Sequence, residues 1–261
     1  MSYEDILFEA EGETRWITIN REAKGNAFRL QTCREMIDVL EIARRDATCR
    51  AVVITGTGDR FFCLGGDHDG HAEAEPVHYG SAFPVVDLYD LIDKHPKPVL
   101  AMVNGFAVGG GNVLALICDL TIASSKAMFR QVGPMMGSFD AGFGTWMLEQ
   151  AVGRKRAKEI WYLNKKYSAA EALAMGLVNE VVEPKALRNR VREICGELAE
   201  RGPGALAALK ASFYAMHAGA PGLSRIALDL LTHHYYGTEE SHELGRAFAE
   251  KRAPDKSKFY R

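Results

Sequence analysis

The most constraining feature of this chain is a short, fully apolar and β-branched run that opens into a glycine-rich loop, and then does so again. Ala51-Val52-Val53-Ile54-Thr55 enters Gly56-Thr57-Gly58-Asp59, and Pro98-Val99-Leu100-Ala101-Met102-Val103 enters a loop that runs from Gly105 to Gly111. Runs this short and this apolar suit strands covered on both faces. Asn112 to Cys118 continues the second loop as an apolar helix, and Leu120-Thr121-Ile122-Ala123 reads as a third buried strand. Strand, loop and helix in succession predict an α/β core.

The flanks fit that core. Ile6-Leu7-Phe8 and the alternating Arg15 to Asn20 predict an antiparallel pair, followed by a helix with Cys33, Met36, Ile37 and Leu40 on one face. From Arg154 the pattern is mostly helical: Ser168-Ala169-Ala170-Glu171 has capping-box spacing, Gly176 marks a helix end, and Leu177 to Val182 reads as a short strand. After Pro184 three or four helices are expected, broken at Gly202-Pro203, Gly219 to Gly222 and Gly237, with a domain boundary near residue 200. Gly70 to Ser81 lacks periodicity and reads as a surface loop placed to serve as an active-site lid.

Composition narrows the function classes. The 32 basic and 34 acidic side chains nearly cancel, so no nucleic-acid or anionic-membrane partner is expected. No apolar run is long enough to span a bilayer, and the acidic start Met1-Ser2-Tyr3-Glu4-Asp5 is unlike a signal, so a cytoplasmic enzyme is the expectation. Cys33, Cys49, Cys63, Cys118 and Cys195 are odd in number and scattered, which predicts free thiols serving as small core residues. His68, His71 and His78 fall at irregular loop spacing, and no metal site is expected from them.

The chemistry points to the glycine loops, Phe61-Phe62-Cys63-Leu64-Gly65-Gly66-Asp67 and Gly105 to Asn112. Without a Cβ, a glycine lets its main-chain N–H face a ligand, and the second loop opens a helix whose positive end favours developing negative charge. Two such loops can converge on one oxygen, although a lone glycine loop is more often a tight turn. Neither has the G-x-G-x-x-G pattern of a dinucleotide site.

These segments resemble the two oxyanion-hole segments of the crotonase (enoyl-CoA hydratase/isomerase) superfamily, with Gly66 and Gly110 at the donor positions. Cys118 to Ser124 and Ala172-x-x-x-Gly176-Leu177-Val178 match at the expected separations, so the resemblance covers nearly the whole chain. It implies a spiral of ββα units over residues 1–200 holding the active site, and a helical oligomerisation region over 201–261. It also implies a homo-oligomer, trimer or hexamer, and no prosthetic group, with coenzyme A arriving as part of the substrate thioester. For coenzyme A it implies Lys24 and Ala27 at the mouth, the turn Gly65, Asp67 and His68, and Phe248 and Lys251 near the C-terminus.

Simple hydratases of this family use two glutamates, whose positions here hold Val113 and Gly133. Phe129 to Gly144 resembles instead two subfamilies, the 2-ketocyclohexanecarboxyl-CoA hydrolases and the 1,4-dihydroxy-2-naphthoyl-CoA synthases. The match implies Asp140 as the pocket carboxylate, Ser138 as its support, and Tyr236 as a proton donor near the reacting carbon. The synthases carry basic residues after Gly-Gly-Asp for an acidic substrate, whereas this chain reads His68-Asp69-Gly70-His71-Ala72-Glu73-Ala74-Glu75, which would repel a carboxylate. That favours the hydrolase, with His71 as a proton relay. The expectation is therefore retro-Claisen cleavage of a cyclic β-oxoacyl-CoA. The alternatives are the synthase, with Gly133 leaving room for a bicarbonate, and a non-catalytic acyl-CoA-binding homologue.

Overall fold

The structure, a computed structural model, describes residues 3–67, 84–139, 143–215, 219 and 237–259. The expected α/β core is present. A larger sheet takes the order β1 (Ile6–Glu11), β2 (Thr14–Ile19), β3 (Ala51–Gly56), β5 (Val99–Val103), β7 (Leu120–Ser124), β10 (Glu180–Val182). Only β1 and β2 pair antiparallel; every later neighbour is parallel. A smaller sheet joins β4 (Phe61–Cys63), β6 (Phe106–Val108), β8 (Met128–Arg130) and β9 (Tyr167–Ser168).

The two sheets arise from one repeated step. The pairs β3–β4, β5–β6 and β7–β8 each give their first strand to the large sheet and their second to the small one. Helices α1 (Leu30–Arg45), α2 (Pro84–Lys94) and α3 (Gly110–Ile117) follow successive strands and pack against one another. This is the ββα spiral. Every residue of β3 and β5 is buried, as their unbroken apolar sequence requires. Helix α1 turns Cys33, Met36, Val39, Leu40 and Ala43 inward, the spacing of a single apolar face.

Further along come α4 (Gly144–Val152), α5 (Arg154–Leu163), α6 (Ala169–Ala174), α7 (Leu187–Ala199), α8 (Pro203–Ala215) and α9 (Glu239–Ala249). The capping box forms as read: Ser168 Oγ accepts Glu171 N–H while the Glu171 carboxylate accepts Ser168 N–H. The strand read from Leu177 is shorter than expected and begins at Glu180. Leu177 and Val178 are buried outside the ladder, Leu177 N–H donating to Ala172 O at 2.9 Å, and the Asn179 side chain accepts Thr121 N–H at 2.7 Å where a strand would offer a main-chain carbonyl. Among the described residues no helix is long and apolar enough to cross a membrane.

His95, fully buried just after α2, supplies a pH-dependent part of the stability. Its Nδ1 accepts Lys97 N–H at 3.2 Å and its Nε2 lies 3.2 Å from Leu40 O, so one neutral tautomer, protonated at Nε2, satisfies both. Burial, aided by the nearby Lys210 and Lys97 charges, holds the ring's pKa down at about 4. The unfolded chain therefore takes up the proton first. The contribution is complete above the ordinary histidine range and is lost as pH falls toward 4. Urea unfolding at pH 7 and pH 5 is expected to show His95→Gln losing about 2 kcal/mol less than the parent over that interval. Equal pH slopes in the two proteins would remove His95 from the acid response.

Candidate active site

Three-residue strands bring the two glycine loops together. β4 and β6 are parallel, with Phe61 opposite Phe106 and Cys63 opposite Ala107 across a slip in register. Parallel neighbours end on the same edge, so the loops after Cys63 and after Val108 emerge side by side, the usual place for a site in such sheets. The approach is tight: a Cβ on Gly65, which sits at φ +90°, would lie 2.9 Å from Gly110 N. A Cβ on Gly111 would lie 2.0 Å from Cys63 O. Glycine is the only residue that fits at either position.

The arrangement leaves two N–H groups in hand. Phe28 N–H donates to Gly65 O at 2.8 Å and Asp67 N–H donates to Phe28 O at 2.8 Å, forming a parallel bridge centred on Gly66. In such a bridge the central residue's own N–H faces away from its partner. Gly110 is the first residue of α3, where a main-chain N–H has no intrahelical acceptor. Among the described residues neither N–H has a hydrogen-bond acceptor.

Charge braces the first loop from behind. Arg21 bonds Asp67 at 2.7 Å, lies 3.5 Å from Asp5, and donates to Ala27 O. Arg29 bonds Asp5 and Glu4, which makes it part of the framework. Burial acts to raise the Asp5 carboxyl, but the bonds from Arg29 and Thr32 outweigh it and hold the group below the ordinary carboxylate range. Replacing Arg21 by methionine would leave Asp5 and Asp67 buried beside lost charge, at an expected cost of about 3 to 5 kcal/mol. An unfolding free energy in urea lowered by less than a fifth of that would mean that water compensates both carboxylates.

Cys63 ends β4 next to the loop, and Gly65 N–H points at its sulfur at 3.4 Å. Burial pushes the thiol up to about 12, so it stays protonated near neutrality and is no nucleophile. Burial raises the other four cysteines as well, and all five are free and buried, as expected of core residues.

The remaining candidates are distributed as follows. Lys24 is exposed on a short 3-10 turn, Glu22–Lys24, and Ala27 is buried with its carbonyl held by Arg21. Asp67 uses its carboxylate on Arg21 and so fixes the turn. Phe248 lies half-exposed on α9, and Lys251 is exposed just beyond it at φ +53°. Ser138 donates its N–H to Gly133 O at 2.9 Å, closing the turn that follows β8. Helix α9 packs on that turn, Ser241 Oγ donating to Gly137 O at 2.7 Å. Asp140, Tyr236, His68, His71, His78 and the lid segment from Gly70 to Ser81 lie outside the described residues.

Three features depart from the sequence reading. The room expected beside Gly133 is not along its missing Cβ, because Ser138 O and Phe139 Cα stand 3.2 and 3.3 Å from that point. Helix α2 and its Tyr89, which donates to Gly110 O at 2.8 Å, were not expected; Val85, Val86, Leu88 and Ile92 carry the helical spacing that signals them. Gln131, wholly buried, has both amide atoms without a partner among the described residues, and no pattern in the sequence marks it.

Comparison with known proteins agrees with the geometry. Residues 9–258 match the family described as enoyl-CoA hydratase/isomerase. An enoyl-CoA hydratase/isomerase from Pseudoalteromonas atlantica T6c superposes with a TM-score of 0.88 at 26% identity, over 97% of this chain and 99% of that one. An enoyl-CoA hydratase subunit I from Geobacillus kaustophilus HTA426 is 31% identical, with a TM-score of 0.77 over 97% and 98% of the two chains. A methylmalonyl CoA decarboxylase matches at 25% identity and a TM-score of 0.85 over 98% of each chain. The spiral and the match along almost its full length agree, and the chain belongs to the enoyl-CoA hydratase/isomerase family.

Proposed function

We propose that this acyl-CoA enzyme hydrolytically cleaves the ring of a cyclic β-oxoacyl-CoA, with the thioester enolate oxygen bound between the N–H groups of Gly66 and Gly110. The supporting observation is that Gly66 N–H faces away from its bridge partner and Gly110 N–H opens a helix, neither with an acceptor among the described residues, on loops in close approach. Val113 is buried and apolar on α3, and Gly133 is closed in by the 138–139 main chain. Neither can move a proton, which argues against hydration by two carboxylates.

In this mechanism Asp140, with Ser138 in support, takes a proton from water as the water oxygen adds to the ring ketone. The bond from that carbon to the thioester α-carbon breaks, and its electron pair becomes the enolate. Each hole donor contributes about 3 to 4 kcal/mol when aimed at the developing charge. Tyr236 or an ordered water then protonates the α-carbon, with His71 relaying the proton. The product is a dicarboxylic acid mono-CoA thioester. Lys24, Ala27, Gly65, His68, Phe248 and Lys251 hold the coenzyme A portion, Asp67 acts by fixing the turn, and no prosthetic group takes part.

The test is 2-oxocyclohexanecarboxyl-CoA in oxygen-18 water, followed by mass spectrometry: one heavy oxygen in the new carboxylate is expected. Cyclisation of o-succinylbenzoyl-CoA with no attack on the ketone ester would overturn this assignment. The bond-forming reading has one observation in its favour: Gln131, two residues before Gly133, carries a buried donor and acceptor that have no partner among the described residues, which suits a bound bicarbonate.

The oligomeric state is part of the same proposal. Leu209 and Phe213 stand one turn apart on α8, 57% and 73% exposed, and a second copy would cover them. Light scattering is expected to give a trimer or hexamer, with residues 201–261 forming the contact; a monomer at micromolar concentration would contradict it.

A further inference from the structure

We propose that Tyr89 is a positioning residue of the oxyanion hole, its hydroxyl clamping the start of α3 so that Gly110 N–H keeps its aim. The inference rests on the enolate-binding role given to Gly66 and Gly110.

Residues 109, 110 and 111 are all glycine, with Gly109 at φ +54° and ψ −123°. No side chain there restricts the peptide planes, and helix starts fray. The plane carrying Gly110 N–H lies between two others, and both neighbours are anchored from outside the helix. On one side Gly109 N–H donates to Arg130 O of β8 at 2.9 Å. On the other Gly110 O accepts the Tyr89 hydroxyl at 2.8 Å. Among the described residues the middle plane itself makes only the helix's own bond, Val113 N–H to Gly109 O at 3.1 Å. With both flanking planes held, the Gly110 N–H has little freedom to swing.

Tyr89 is placed to act as a fixed post. It is 2% exposed, on the inward face of α2 between Val85, Leu88 and Ile92. Its hydroxyl and the Phe28 ring together fill the side of Gly110 where a Cβ would stand, at 3.3 and 2.7 Å from that point.

Tyr89→Phe keeps the ring and deletes only the donor, and Ile92→Val on the same helix controls for general loosening. The probe is cyclohexanecarboxyl-CoA labelled with carbon-13 at the thioester carbonyl; lacking the ring ketone, it binds without being cleaved. In difference infrared spectra the wild type is expected to lower the carbonyl stretch relative to free ester. Tyr89→Phe is expected to lower it less, with unchanged probe affinity, and to turn over 2-oxocyclohexanecarboxyl-CoA with kcat reduced roughly three- to tenfold at constant KM. Ile92→Val is expected to match the wild type in both readouts. A Tyr89→Phe spectrum and kcat equal to wild type would overturn the clamp while leaving the hole intact, and so would an equal loss in Ile92→Val. A wild-type spectrum with no lowering would overturn the hole itself, and the clamp with it.

Discussion

Asp140→Asn is expected to lower kcat on the cyclic ketone ester by about 10² to 10⁴-fold, the range that a general base contributes. The substitution keeps size and shape and removes the one carboxylate assigned to water activation. Acyl-CoA affinity is expected to persist, because binding is assigned to Gly66, Gly110 and residues around the coenzyme A. The acid limb of the kcat/KM profile is expected to vanish with the carboxylate. Full activity in the variant would take Asp140 out of the mechanism. A parent protein that binds acyl-CoA esters and turns over none of them would favour a binding homologue over an enzyme.

Gly110→Ala is the second large effect, and it comes from contact, since Gly110 lies at an ordinary helical φ. The added methyl would meet Phe28 Cζ at 2.7 Å and the Tyr89 hydroxyl at 3.3 Å. Phe28 is itself buried, so the start of α3 must give way and carry the N–H with it. A fall in kcat of about 10² to 10³-fold is expected, as for loss of one hole donor. Alanine is otherwise better than glycine in a helix by about 1 kcal/mol, so the melting temperature should change little. Unchanged turnover would show that Gly110 N–H does not bind the reacting oxygen. Gly111→Ala is the contrasting case: there the methyl would meet main chain at 2.0 Å, and folding itself should suffer.

Much of this was legible before any coordinates. Val52 to Ile54 and Val99 to Val103 could be read as buried strands because an apolar β-branched run has few other uses, and Ser168 with Glu171 could be read as a cap because both groups must serve each other. The small sheet was not legible. Phe61–Cys63 and Phe106–Val108 are too short to show a period and sit inside segments that read as glycine loops, yet their pairing is what puts Gly65 against Gly110. Ion pairing was hidden for another reason: Arg21 reaches Asp67 across a separation that only the finished fold closes. Tyr89 was hidden as well, since nothing in a helical stripe says where a hydroxyl will point.

The small sheet has a consequence for how the molecule comes to be. Its members are two or three residues long, and the partners β4 and β6 are separated by some forty residues of chain. Strands that short cannot hold together before their neighbours are in place, and distant pairings are slow to form. The candidate active site should therefore be among the last regions to become ordered during refolding. Fragments that retain the large sheet but lose a turn of the spiral should be compact and inert.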